Sequence, residues 1–263
     1  MACGSDIVSG RKKVAIVEKD ITAGTCTNYG CSAKFLLDSP FEFIDSLSRY
    51  DKAGITGNTK VNWQELMAYK KSEIPTYASL MEGMFAQMQI DLLKGYGKLV
   101  DAHTVSVDDD RISADYIVLG TGQRPARLQI KGQEFLHDSC DFLDLDKMPK
   151  HITFIGAGII SMEFATMSAK LGSEVHIIEY ADRALVAYQE NYIDSVVAKM
   201  TAEGVYFHFK QAVQAVEETT AGLRVTTAQG LELETDYVLD VTGRIPNLSL
   251  IHISEPTRLR CIS

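Results

Sequence analysis

No apolar run in this chain approaches the roughly 18 residues of a membrane-crossing helix, so no membrane span is expected. Basic charge is in deficit. Lys and Arg number 26 against 35 Asp and Glu, and the net charge of −9 argues against a nucleic-acid surface or an anionic membrane as partner. The opening Met1-Ala2-Cys3-Gly4-Ser5-Asp6 lacks the basic stretch and apolar core of a secretory leader, which points to a cytoplasmic protein. Cysteine is sparse and odd in number, five, without framework spacing, which excludes a disulfide scaffold. His103, His137, His151, His176, His208 and His252 form no cluster and no Ser-His or Cys-His constellation. Hydrolase and metalloenzyme readings therefore gain no support, and no metal site is expected. What remains is an ordinary globular composition, with a length suited to about two domains.

The sequence echoes itself. Lys13-Val14-Ala15-Ile16-Val17-Glu18 returns as Glu174-Val175-His176-Ile177-Ile178-Glu179. Asp115-Tyr116-Ile117-Val118-Leu119-Gly120-Thr121-Gly122 returns as Asp236-Tyr237-Val238-Leu239-Asp240-Val241-Thr242-Gly243, and both runs go on to a proline, Pro125 and Pro246. Each half thus offers a strand ending in Glu and a later strand ending in Thr-Gly. The fold class expected is α/β, with two Rossmann-like dinucleotide-binding domains.

The second half carries the clearer fingerprint. Ile152–Ile155 reads as a buried parallel strand, and Gly156-Ala157-Gly158-Ile159-Ile160-Ser161 opens a helix that runs to Leu171 and is stopped by Gly172. Val175–Ile178 is the next strand. Glu179 lies about 20 residues beyond the second glycine, where an acid accepts from a ribose hydroxyl. The glycines permit a tight turn and close approach to a pyrophosphate, whose charge meets the helix N-terminus. Ser161 stands where a third Gly or Ala is usual and is small enough to keep helix and strand close. An acid at position 179 favours NADH over NADPH, and the nearby Arg183 softens that bias.

Elsewhere, Asn62 with Glu65 looks like a helix cap leading a helical stretch towards Gln89, interrupted near Pro75. Val105–Ala114, turning at Asp108-Asp109-Asp110, and the pair Leu223–Thr227 and Leu231–Glu234 read as β-hairpins.

The chemistry centres on Gly24-Thr25-Cys26-Thr27-Asn28-Tyr29-Gly30-Cys31-Ser32-Ala33-Lys34, shortly after the first strand and Glu18. Two close thiols suit a redox dithiol placed against a nucleotide cofactor. Zinc ligation would need about two more ligands, and inert buried thiols are the other bland alternative. This run, with the echoed strands and glycine loop, resembles the flavin-dependent pyridine nucleotide–disulfide oxidoreductases, the family of glutathione reductase and dihydrolipoamide dehydrogenase. Ala23 stands where that family commonly has a glycine.

The resemblance implies electron flow from NAD(P)H through FAD to the cysteine pair and on to a small disulfide or thiol partner, in a parent enzyme that is a homodimer. It makes Cys26 the interchange thiol and Cys31 the flavin-facing thiol, next to a helix expected near Ser32. It implies a functional pair of Lys34 with Glu163; a surface lysine and a helix-face glutamate are the bland counterpart. The cofactor-binding residues expected are Glu18, Lys19, Gly24, Thr25, Lys34, Gly97, Thr121 and Gly122 on the first side. On the second side they are Gly156, Gly158, Ile159, Ile160, Glu179, Val213 and Gly243. The expected domains are a partial FAD-binding domain over 1–145 and an NAD(P)-binding domain over 146–242. A return into the first domain follows over 243–250, and residues 251–263 are expected to be a non-native tail. The family's first strand and glycine loop before Val14 are expected to be missing, as is its C-terminal dimerisation domain. A flavoprotein oxidase, a transhydrogenase and a non-catalytic nucleotide-binding fragment stay open as alternatives.

Overall fold

The structure, a computed structural model, describes residues 12–55, 57 and 59–247. The tail expected to be non-native lies outside the described residues, as does the stretch holding Gly4 and Gly10. The apolar run Val14–Glu18 forms β1. A short helix α1 (Gly24–Tyr29) and a longer α2 (Cys31–Ser48) follow. Then comes α3 (Trp63–Gln87), whose first amides, Gln64 and Glu65, donate to Asn62 Oδ1 at 3.1 and 3.4 Å. The expected interruption at Pro75 does not occur, and α3 runs through it. Pro75 is exposed, so the carbonyl deprived of its N–H partner can turn to water, and the helix needs no break.

Next come β2 (Ile90–Lys94) and the antiparallel meander β3 (Gly97–Asp101), β4 (Thr104–Val107) and β5 (Asp110–Ser113), the last two being the expected hairpin. The chain continues through β6 (Gln123–Pro125), β7 (Leu136–His137), α4 (Ser139–Leu143), β8 (His151–Ile155), α5 (Ile159–Lys170) and β9 (Glu174–Ile178). It ends with α6 (Glu190–Ala202), β10 (Val205–His208), β11 (Val213–Thr219), β12 (Gly222–Thr227), β13 (Glu232–Thr235), β14 (Tyr237–Asp240) and β15 (Arg244–Pro246).

The described residues fall into two compact units. One holds residues 12–28, 74–123 and 246–247; the other holds Tyr29–Glu73 and Arg124–Ile245. In the first unit β1 pairs in parallel with β2, from Val14 opposite Ile90 to Glu18 opposite Lys94. The expected strand over Asp115–Gly122 does not form. Tyr116, Val118 and Leu119 are exposed to 82, 68 and 46 %. A strand exists only against a neighbour, and among the described residues no strand pairs with this segment; only its last two carbonyls, those of Thr121 and Gly122, find a backbone or side-chain donor, in Asn247.

In the second unit the echoed run does form a strand. β14 lies between β8 and β7 in a five-stranded parallel sheet of order β10-β9-β8-β14-β7. β8 is buried from Ile152 to Ile155 because both its faces are covered. On one face Ile155, Ile178 and Val238 pack with Val216 and Val225 of the antiparallel β11-β12-β13 sheet. On the other, Phe154 adjoins Phe142, which stacks on Phe164 with ring centres 4.1 Å apart. No helix among the described residues is long and apolar enough to cross a membrane.

Candidate functional site

The best-formed site lies in the second unit, where β8 meets α5. Gly156 has φ +100, and a Cβ there would stand 3.0 Å from the Val241 carbonyl oxygen, so only glycine fits. Gly158, the N-cap of α5, is different: a Cβ there would meet nothing within 4 Å. No side chain caps the first turn of α5, which leaves the Ile159 and Ile160 amides without a side-chain acceptor. An uncapped helix N-terminus beside an open glycine fits a pyrophosphate. Ser161 is fully buried and its hydroxyl donates to the Gly156 carbonyl, so it ties the loop as well as keeping the packing close.

Glu179 closes the site. Its Oε2 accepts from the Ala157 amide at 2.6 Å and its Oε1 from the Ala181 amide at 2.8 Å. The carboxylate is thus fixed at the rim of the glycine loop, with lone pairs left over for a ribose hydroxyl. Arg183, three residues past Tyr180, donates instead to the carbonyls of Val186 and Tyr188, at 2.7 and 3.2 Å. Val213 is half-buried and packs against the core cluster that includes Val216.

Asp240, at the end of β14, is a residue that sequence reasoning missed. Buried to 4 % exposure, it accepts from the Leu128 amide at 2.6 Å and from the Thr242 hydroxyl and amide at 2.7 and 3.1 Å. The nearby Gly243 carbonyl accepts from the Ala126 amide at 3.0 Å. The signal was a lone acid in an apolar strand, where burial demands hydrogen-bond partners.

The first unit repeats part of this design. Glu18 Oε1 accepts from the Asp20 amide at 2.9 Å, as Glu179 does from Ala181. Among the described residues there is no glycine loop beside Glu18 to supply the second bond. Gly97 is needed for packing, since a Cβ would stand 3.1 Å from Val17 Cγ1. Lys19 reaches over the Tyr96 ring, 6.0 Å from its centre. The Thr121 and Gly122 carbonyls accept from Asn247 at 3.0 and 2.9 Å. Ala23 and Gly24 both take positive φ, +86 and +67, so an alanine sits where glycine would be relaxed. Asn28, also missed as a positioning residue, is buried, and its Nδ2 donates to the carbonyls of Ile21, Thr22 and Gly24. It thereby holds the turn that carries Thr25, which is exposed, and Cys26.

Cys26 lies in α1 and belongs to the first unit; Cys31 opens α2 in the second, and both are exposed. Lys34, one turn along α2, meets Glu163 of α5 at 2.9 Å, so the structure brings that expected pair together. Asp38 is a third member, 3.6 Å from Lys34, and its i,i+4 spacing was the available signal. Burial works against the Lys34 charge, but the hydrogen bond and charge of Glu163, with Asp38, outweigh it and hold its pKa above the ordinary lysine value. Burial pushes the Asp38 carboxyl up; Lys34 pulls it back in part, while Glu42 and Glu163 add to the rise. A second ion pair, Lys170 to Asp45 at 2.5 Å, joins the same two helices with the charges exchanged. The Lys34–Glu163 contact therefore also clasps α2 to α5.

A family model described as pyridine nucleotide-disulphide oxidoreductase matches residues 1–261. Glutathione reductase of Nostoc sp. is 32% identical over 254 residues, which are 94% of this chain and 55% of that protein. Dihydrolipoyl dehydrogenase of Staphylococcus aureus is 30% identical over 253 residues, 93% of this chain and 54% of that protein. Soluble pyridine nucleotide transhydrogenase of Mycobacterium bovis is 29% identical over 246 residues, 89% and 52% of the two chains. Among solved structures, the HOCl-induced flavoprotein disulfide reductase from Escherichia coli matches with a TM-score of 0.81 at 22% identity, covering 94% of this chain and 55% of that one, a likeness of fold. The chain spans about half the length of these relatives.

Proposed function

The chain belongs to the pyridine nucleotide-disulphide oxidoreductase family, and from that premise we propose that it serves an oxidoreductase passing electrons from NADH through FAD to the Cys26–Cys31 pair and a small disulfide. The observation that carries this reading is the Glu179 carboxylate bonded to the Ala157 amide beside the open Gly158. In it, residues 146–242 bind the nicotinamide dinucleotide. The amides from Ile159 and Ile160 face its pyrophosphate, and Glu179 accepts from the adenosine ribose while repelling a 2′-phosphate.

FAD when bound supplies a two-electron relay between nicotinamide and sulfur. Glu18 and Gly24 are its candidate ligands. Because no glycine loop stands beside Glu18 among the described residues, the chemistry assigned to this chain's own residues is nucleotide binding and thiol exchange.

In the exchange, the Cys26 thiolate attacks one sulfur of the substrate disulfide and expels the other as a thiolate. Cys31, the first residue of α2, then attacks the Cys26 sulfur as a thiolate. That releases the second substrate thiolate and leaves a Cys26–Cys31 disulfide to be reduced again. The parent enzyme is a homodimer in this reading, and Lys34, paired with Glu163, lies one turn along α2 from Cys31.

Titration of the full chain with NADH and NADPH tests the dinucleotide assignment. NADH should bind more tightly, and Glu179→Ala should weaken it by roughly tenfold, the effect of losing a charged hydrogen-bond acceptor. Tighter NADPH binding, or an indifferent Glu179→Ala, would sink it. A purely nucleotide-binding role is the second reading, favoured by the lone Glu18. Flavin absorbance in the purified protein separates the two.

A further inference from the structure

Resting on the dinucleotide reading, we propose that Arg183 is a positioning residue of the nucleotide cradle, which it serves by fastening the Ala184–Tyr188 turn against the glycine loop. Its guanidinium donates to the Val186 carbonyl at 2.7 Å and the Tyr188 carbonyl at 3.2 Å, with the Ala184 and Leu185 carbonyls at 3.5 Å. The side chain is thus wrapped by the turn that follows it. Its Nη1 and Nη2 both donate to neutral backbone oxygens of that turn.

The turn needs such a fastener. Leu185 has φ +47, a conformation that a side chain bearing a Cβ disfavours. Outside the Arg183 contacts, it is closed by the Tyr188 amide donating to the Leu185 carbonyl at 2.9 Å. Ala184 is fully buried, so the turn is seated on the unit and not waving above it.

In that strained conformation the Leu185 amide donates to the Ala157 carbonyl at 3.0 Å. The Ala157 amide in turn donates to Glu179 at 2.6 Å. Both peptide groups of Ala157, the residue between the two glycines, are therefore held, the first by the ribose acid and the second by the turn that Arg183 closes. Gly158, whose Cβ direction is open, follows directly. Arginine suits the task because its planar fork reaches several carbonyls at once, which a lysine ammonium cannot do from one point.

The test measures binding of ADP-ribose and 2′-phospho-ADP-ribose to the full chain by calorimetry, for wild type, Arg183→Ala and Arg183→Lys. These probes differ only in the 2′-phosphate. Both variants should bind both probes about tenfold more weakly while keeping the wild-type ratio between them. Amide hydrogen exchange should quicken over residues 156–160 and 181–188 and stay unchanged in β11 and β12. Should Arg183→Ala lose its circular dichroism, Arg183→Lys, which keeps the charge and stem, decides the matter. Selective loss of the phosphorylated probe would make Arg183 a phosphate ligand and overturn the proposal. So would wild-type affinity for ADP-ribose in the variants. A wild-type chain that binds neither probe brings down the dinucleotide reading itself, and this proposal with it. Wild-type binding with indifferent variants removes the role of Arg183 alone.

Discussion

Glu18 and Glu179 end equivalent strands and make the same first bond, to the amide two residues on. Among the described residues only Glu179 makes the second, to a glycine loop. The same contrast runs through the strands. Tyr237–Asp240 is paired on both sides in a five-stranded sheet, whereas its echo over 116–120 is largely exposed and pairs with no strand among the described residues. Short-range geometry thus survives repetition, while a working site and a true strand both depend on what stands alongside.

Glycines offer the strongest way to break that comparison. Gly156 and Gly24 both have positive φ, but a Cβ at Gly156 collides with the Val241 backbone and one at Gly24 meets nothing. Gly156→Val should cost about 3 kcal/mol or more and Gly24→Val about 1 kcal/mol, read from urea midpoints. Equal losses would mean that the second unit's loop is no more tightly built than the first unit's turn.

A smaller effect sharpens the role of the α2–α5 clasp. Because the Lys34 pKa is raised in the folded chain, its contribution is fully present below the ordinary lysine value of 10.5 and is lost as pH rises through the folded pKa. With the pair partly exposed, the loss should stay below about 1 kcal/mol. Glu163→Gln should flatten this alkaline limb in urea melts taken across that range; an unchanged limb would show that Glu163 does not hold the proton.

The smallest effect belongs to Ala23, with φ +86. Ala23→Gly should relieve strain and raise stability by up to about 1 kcal/mol, less the added freedom of the unfolded chain. A drop in melting temperature would show that the alanine side chain makes a contact worth more than its strain.

What the sequence disclosed follows the range of the forces involved. The glycine loop, α5 and Glu179 lie within one short stretch and obey local rules of turn, helix and charge, so they could be read directly. Lys34 and Glu163 are far apart in the chain, and only the family resemblance joined them. Asp240 and Asn28 bond mainly to backbone groups, which carry no residue signature. The run 115–122 misled because its alternation matches that of β14, and pairing is not written in one strand. Pro75 misled in the other direction, since an exposed proline costs a helix one bond without ending it.

Asp240 has a consequence for how this architecture is assembled. One buried carboxylate holds the Leu128 amide, near the entry of the segment Arg124–Ile245, and Thr242, near its exit. A segment whose two ends are clasped at one point can be spliced into a host chain without stretching the host's own backbone. The carboxylate is in effect a seam: it draws together the two ends of this stretch, so that the chain enters and leaves it at one place.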